Sequence, residues 1–120
     1  MNKQIGIVNK KVIQLLDLDY KKELPIILGD SNIEHMKRKH LEDYIKYGNN
    51  IIEIVNSPTY VAKNPNQNSI EYIKEYKVEN EFVLVAVRIS NKGTMFAKTL
   101  FRMSERKKNI YLEKGYAKKY

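Results

Sequence analysis

Hydrophobic and polar positions change their spacing near residue 69, from helical periodicity before it to strand-like alternation after it. Gln4–Val8 alternates weakly and predicts a short strand. Asn9 suits an N-cap, and Val12, Leu15 and Leu16 then follow the i, i+3, i+4 spacing of a buried stripe, so a short helix is expected to reach Leu18. Leu24–Leu28 is an apolar run interrupted by Pro25, which predicts an edge strand or extended segment before a turn at Gly29 and Asp30. Ser31-Asn32-Ile33-Glu34 has the form of a capping box, with Ser31 as N-cap and Glu34 at N3. The helix it opens should run to about Tyr47 and stop at Gly48. A second helix, roughly Asn50–Asn56, must end before Pro58. Ala62–Asn68, with three asparagines and Pro65, reads as a loop.

Three β-branched and aromatic runs follow, Ser69–Lys77, Glu81–Ser90 and Thr94–Arg102, and Asn91-Lys92-Gly93 between the last two predicts a hairpin turn. Asn109–Leu112 is expected to add a last short strand before a basic tail. Helices first and an antiparallel meander after them predict an α+β fold, with helices packed on a mainly antiparallel sheet of about four strands. The 120 residues are expected to form a single domain.

Composition narrows the chemistry. The chain has no cysteine, which excludes disulfides, a thiolate nucleophile and Cys-ligated metal sites, and its two histidines are too few for a multi-histidine site. No cofactor is expected. No apolar run approaches the roughly 18 residues of a membrane span, so a cytoplasmic protein without a membrane partner is expected. Twenty-two Lys and Arg against 14 Asp and Glu give a net charge of +8. Residues 1–47 contribute +2, residues 48–80 contribute −1 and residues 81–120 contribute +7. A localised excess of this kind suits a polyanion such as nucleic acid, whereas its bland explanation is a solvated lysine-rich surface.

On a helical wheel for Ser31–Tyr47, His40 falls on the apolar face with Ile33, Met36, Tyr44 and Tyr47, extended by Leu41 and Ile45, and His35 falls opposite. The ordinary role of a lone histidine on such a face is a hydrogen-bonded core residue. Five residues apart, the two histidines do not make an i, i+4 metal-binding pair. Along Glu81–Ser90, Val83, Val85, Val87 and Ile89 form an apolar core face, while Phe82, Leu84, Ala86, Arg88 and Ser90 share the other. Arg88 there could hold a phosphate in a bidentate grip or could be a plain surface arginine. Its neighbours depend on the hairpin register. Pairings that sum to an odd number bring Met95, Thr99 and Phe101 to its face, and even sums bring Phe96, Lys98 and Arg102. A histidine, a guanidinium and hydroxyls suffice to cleave RNA without a metal, because RNA supplies its own 2′-hydroxyl nucleophile.

The runs Ser31 to Met36 with Lys39-His40, Ile51-Ile52, Ser57 to Val61, Ser69 to Lys74, Val85 to Ser90 and Lys98 to Phe101 together resemble phage-borne nucleases of the Barnase–EndoU–colicin E5/D–RelE-like group, over about residues 26–115. The resemblance implies helices before a four-stranded antiparallel sheet, RNA cleavage in the sheet's concave face, and a toxin or effector role in a bacterial host cell. It further implies RNA and a cognate immunity or antitoxin protein as partners. It maps functional positions onto His35, His40, Arg88, Ser90 and Thr99, leaves the role of Lys98 open, and favours the odd-sum register; His35, His40, Arg88 and Thr99 are expected to be catalytic, and Ser90, Lys98 and Arg102 to bind substrate. The competing expectation is a non-catalytic nucleic-acid-binding or host-interaction accessory protein.

Overall fold

The computed structural model describes residues 1–64 and 66–120. Its elements are β1 (Lys3–Val8), α1 (Lys10–Leu15), β2 (Leu24–Leu28), α2 (Asp30–Lys39), α3 (Leu41–Tyr47), a 3-10 turn at Gly48–Asn50, α4 (Ile51–Asn56), β3 (Tyr60–Asn64), β4 (Ser69–Tyr76), β5 (Glu81–Ile89), β6 (Met95–Arg102), α5 (Glu105–Glu113) and β7 (Lys118–Lys119). Among the described residues the strands form one seven-stranded sheet in the order β1-β2-β6-β5-β4-β3-β7. The fold is α+β as expected, but the sheet is larger than the four strands expected and is mixed. β2 runs parallel to β6 over Ile26 and Ile27, and the other neighbours are antiparallel.

The differences from the sequence pattern have local causes. Asn9 does cap α1, accepting from the Val12 N–H at 2.9 Å, although the helix ends at Leu15. β2 is an interior strand, because Pro25 pairs only with Ile7 and parallel pairing to β6 begins at Ile26, past the missing donor. The cap of α2 is shifted from Ser31 to Gly29, since the buried Asn32 side chain accepts the Gly29 N–H at 2.9 Å. Gly48 does not terminate a helix in the left-handed region. It stays helical at φ −56°, and a Cβ there would lie 3.0 Å from the Tyr44 ring. Of the segment expected as a loop, Ala62–Asn64 completes β3 and Pro65 lies outside the described residues. Asn109–Leu112 belongs to α5 rather than a strand, and Ser104 caps that helix on the Lys107 N–H.

One sheet face packs against the N-terminal helices. Val83, Val85, Val87, Ala97 and Leu100 are fully buried there against Val12, Met36, Ile51 and Ile54. Each large apolar side chain so buried contributes about 1.5–3 kcal/mol. The opposite face carries a smaller cluster, Ala62, Ile73, Leu84 and Ala86, with Tyr60, Phe82, Phe101 and Tyr111 packed on it. Because β2 pairs only with Met95 and Phe96, the rest of β6 is flanked by α2 and α3. Met36 therefore reaches the first face while neighbouring side chains of α2 are free to serve the second. No helix among the described residues is long and apolar enough to cross a membrane.

Candidate active site

A cavity of about 600 Å³ opens between α2 and the second sheet face. Ser31, Asn32, His35 and Arg38 line it from α2, His40 from the α2–α3 junction, and Gln67 from the turn before β4. Its floor is Ala86 and Arg88 of β5 with Lys98, Thr99 and Phe101 of β6.

His40 reaches this cavity because the helix breaks there. The expected continuous helix is two helices, and His40 between them has φ −143° and ψ 58°. Its N–H still donates to the Met36 carbonyl at 2.8 Å, and its carbonyl accepts from the Tyr44 N–H at 2.9 Å, so both helices end on one residue. The break overturns the single helical wheel. Leu41 and Ile45, placed on an apolar face by the pattern, are 54% and 73% exposed. His40 lies against Phe101, with ring centroids 5.3 Å apart, rather than within the main core.

The hairpin supplies the opposite wall through a register shift. Pairings near the helices follow the odd sum, Leu84 with Phe101 and Ala86 with Thr99. Nearer the turn they follow the even sum, Val87 with Ala97 and Arg88 with Phe96. Lys98 is the extra residue, and a bulge of this kind sets two residues of one strand opposite one of its partner. Lys98 and Thr99, neighbours in sequence, thus both line the cavity. Of the two face assignments, Thr99 and Phe101 come from one register and Phe96 and Lys98 from the other, while Met95 is buried on the core side.

Arg88 is exposed, and its Nη2 donates to Gln67 Oε1 at 2.7 Å. Among the described residues neither Arg88, Arg38 nor Lys98 has a carboxylate within ion-pair distance, and no carboxylate lines the cavity. The site is accordingly a concentration of uncompensated positive charge. Partial burial, then the Arg38, Lys39, His40 and Lys98 charges, hold the His35 pKa below its ordinary 6.5. Arg38 Nη2 lies a long 3.5 Å from His35 Nδ1. Since a guanidinium can only donate, Nδ1 is the acceptor in that contact.

Five of the seven residues singled out in the sequence meet here: His35, His40, Arg88, Lys98 and Thr99. Ser90 and Arg102 do not. The Ser90 hydroxyl accepts the Thr94 N–H at 3.1 Å and braces the hairpin turn, where Gly93 takes φ +83°. Arg102 lies in a separate cleft, where Asp43, Glu81 and Glu42 neutralise it. Ser31 and Asn32, marked in the sequence only as part of a helix cap and of the resemblance, also line the site, and Arg38 and Gln67 join it unannounced by any motif. The i, i+3 spacing of Arg38 from His35 was the one available signal for that arginine.

A cationic cavity presenting two imidazoles beside a guanidinium, an ammonium and a hydroxyl is chemically suited to a phosphodiester. Such an array, set between a helix and the antiparallel β5–β6 hairpin of a mixed sheet, is that of a nuclease-like α+β protein. The chain belongs to the phage-Barnase-EndoU-ColicinE5/D-RelE like nuclease family: the model of its nuclease3 member family matches residues 3–110. No curated protein and no solved structure matches it.

Proposed function

We propose that the protein is an endoribonuclease that cleaves RNA without a metal ion and acts as a toxin or effector of phage or mobile-element origin. The observation that carries this reading is the meeting of His35 and His40 with Arg88, Lys98 and Thr99 around one cavity. His35, held uncharged near neutral pH, is the base that removes the substrate's 2′-hydroxyl proton. The 2′-oxygen attacks the adjacent phosphorus, and the bond to the 5′-oxygen breaks. His40 donates the proton that the leaving oxygen requires, so the products are a 2′,3′-cyclic phosphate and a 5′-hydroxyl. Arg88, Arg38 and Lys98 stabilise the charge that grows on the phosphorus oxygens, and Thr99 donates a hydrogen bond to one of them. DNA has no nucleophile for this route. Its partners on this reading are RNA and a cognate inhibitor protein.

The test is incubation of the purified protein with total RNA in EDTA. Cleavage with cyclic-phosphate ends is expected, and single-stranded DNA should stay intact. His40→Ala and Arg88→Ala should each slow cleavage by roughly 10²-fold or more. Intact RNA, or cleavage indifferent to both substitutions, would sink the assignment.

A further inference from the structure

Most of the C-terminal charge lies outside the cavity. Residues 105–119 hold six cations, Arg106, Lys107, Lys108, Lys114, Lys118 and Lys119, against Glu105 and Glu113. α5, the turn after it and β7 carry them, and this segment packs through Tyr111 and Ala117 on the sheet face that also bears the cavity.

Three of these lysines are fixed in place by aromatic rings. Lys107 Nζ sits 4.7 Å from the centroid of Phe101, a ring that lines the cavity. Lys108 Nζ sits 5.1 Å from Phe82, and Lys119 Nζ sits 5.2 Å from Tyr60. Phe82 and Tyr60 are stacked at 6.0 Å, and all three rings pack on one cluster. The rings belong to β6, β5 and β3, so the ammonium groups form a row that leads across the sheet from the cavity. The near end is close to the proposed chemistry. With Phe101 5.3 Å from His40, the Lys107 ammonium lies no more than about 10 Å from that imidazole. Lys108 also pairs with Glu105 at 3.0 Å, whereas Lys107 and Lys119 have no carboxylate within 4.0 Å among the described residues.

We infer that the Lys107–Lys108–Lys119 row is a second binding site, taking the backbone phosphates of single-stranded RNA that flank the phosphate in the cavity. A lysine lying along a ring gives up little further freedom when its head meets a phosphate, because its stem is already ordered. The rings are half-buried beneath the lysines, so the strip offers ammonium groups to phosphates ahead of ring faces to bases. It would therefore raise affinity for longer RNA without selecting a sequence. The inference rests on the cavity being the site of RNA cleavage, and its test separates the two.

Binding of a 12-nucleotide 2′-O-methyl oligoribonucleotide, which cannot be cleaved, is measured by fluorescence anisotropy over a range of salt concentrations. Lys107→Gln/Lys119→Gln should flatten the slope of log affinity against log salt by about 1.4, from roughly 0.7 per single-strand phosphate contact. Lys107→Arg/Lys119→Arg should restore it, which separates lost charge from a disturbed α5. The Gln variant should also narrow the preference for cleaving a 12-mer over a dinucleotide. A slope unchanged by the Gln substitutions overturns the inference and assigns the strip to an acidic protein partner instead. Should the slope flatten while His40→Ala and Arg88→Ala leave cleavage intact, the cavity reading fails and with it the flanking role, though the strip still binds RNA.

Discussion

At the scale of single residues, His35 illustrates how far a side chain's role depends on its surroundings. Sequence periodicity puts it on the outer side of a helix, where a histidine ordinarily titrates in water. The fold instead gives it partial burial and cationic neighbours, both of which disfavour the imidazolium. The sign has a measurable result. Arg38→Gln removes one of those charges, so the His35 titration followed by NMR should move up toward 6.5. The acid limb of the pH–rate profile should move up with it. A rate profile that stays put while the titration moves would remove His35 from the role of base. Arg102 makes the opposite point. In the sequence it is one cation among ten in the last 40 residues, and nothing nearby marks it as neutralised. Its partner Asp43 is 59 positions away and Glu81 is 21, separations that no local pattern reports.

At the scale of elements, what the sequence conveyed was the type of most segments and little of how they end. The Asn9 cap was legible because the bond it makes spans three residues. The box at Ser31–Glu34 was misread because Asn32, within it, satisfies Gly29 instead. The break at His40 left no trace in the hydrophobic period, and the bulge at Lys98 left none in the alternation, so the site's two decisive distortions were invisible. α5 was hidden for another reason. Its Ile110 and Tyr111 favour a strand by propensity, and tertiary contacts override that preference. One such contact is the Tyr111 hydroxyl, which donates to the buried Glu71 carboxylate at 2.6 Å. Tyr111→Phe strips this donor from a carboxylate that is 3% exposed. A loss of about 1–3 kcal/mol is expected in denaturant unfolding. Hydrogen exchange should show the α5 amides loosening before those of β5.

Across the whole molecule, the sheet divides the work. One face holds the main core, and the other holds the cavity and the basic strip. The helical layer is fastened to the sheet by a polar clamp in which Glu81 accepts from the Tyr47 hydroxyl at 2.6 Å and from Lys46 and Arg102. Those bonds, the Lys46 ammonium first, hold the Glu81 carboxyl down at about 2. A carboxyl depressed in the folded state stabilises it above the unfolded value near 4.5, and that contribution disappears as pH falls toward 2. Stability should thus decline through this acid window. Glu81→Gln should lower the melting temperature at pH 7 and flatten the decline below pH 4.5, and an unaltered acid profile would show the clamp to be idle. Asp43 and Arg102 share the clamp and adjoin the α2–α3 junction, so loosening it should also disturb how His40 meets Phe101.

The bulge in β6 has a consequence for how such a site can change over generations. Lys98 is the extra residue in the strand, passed over where the pairing steps from Ala86–Thr99 to Val87–Ala97. A side chain replaced at Lys98 alters the lining of the cavity while leaving the backbone pairing of the sheet intact. Chemistry there is uncoupled from folding. On the proposed reading, a lineage pressed to meet new RNA targets or to escape a new inhibitor could revise position 98 at little cost in stability, whereas comparable revision at Val85 or Leu100 would open the core.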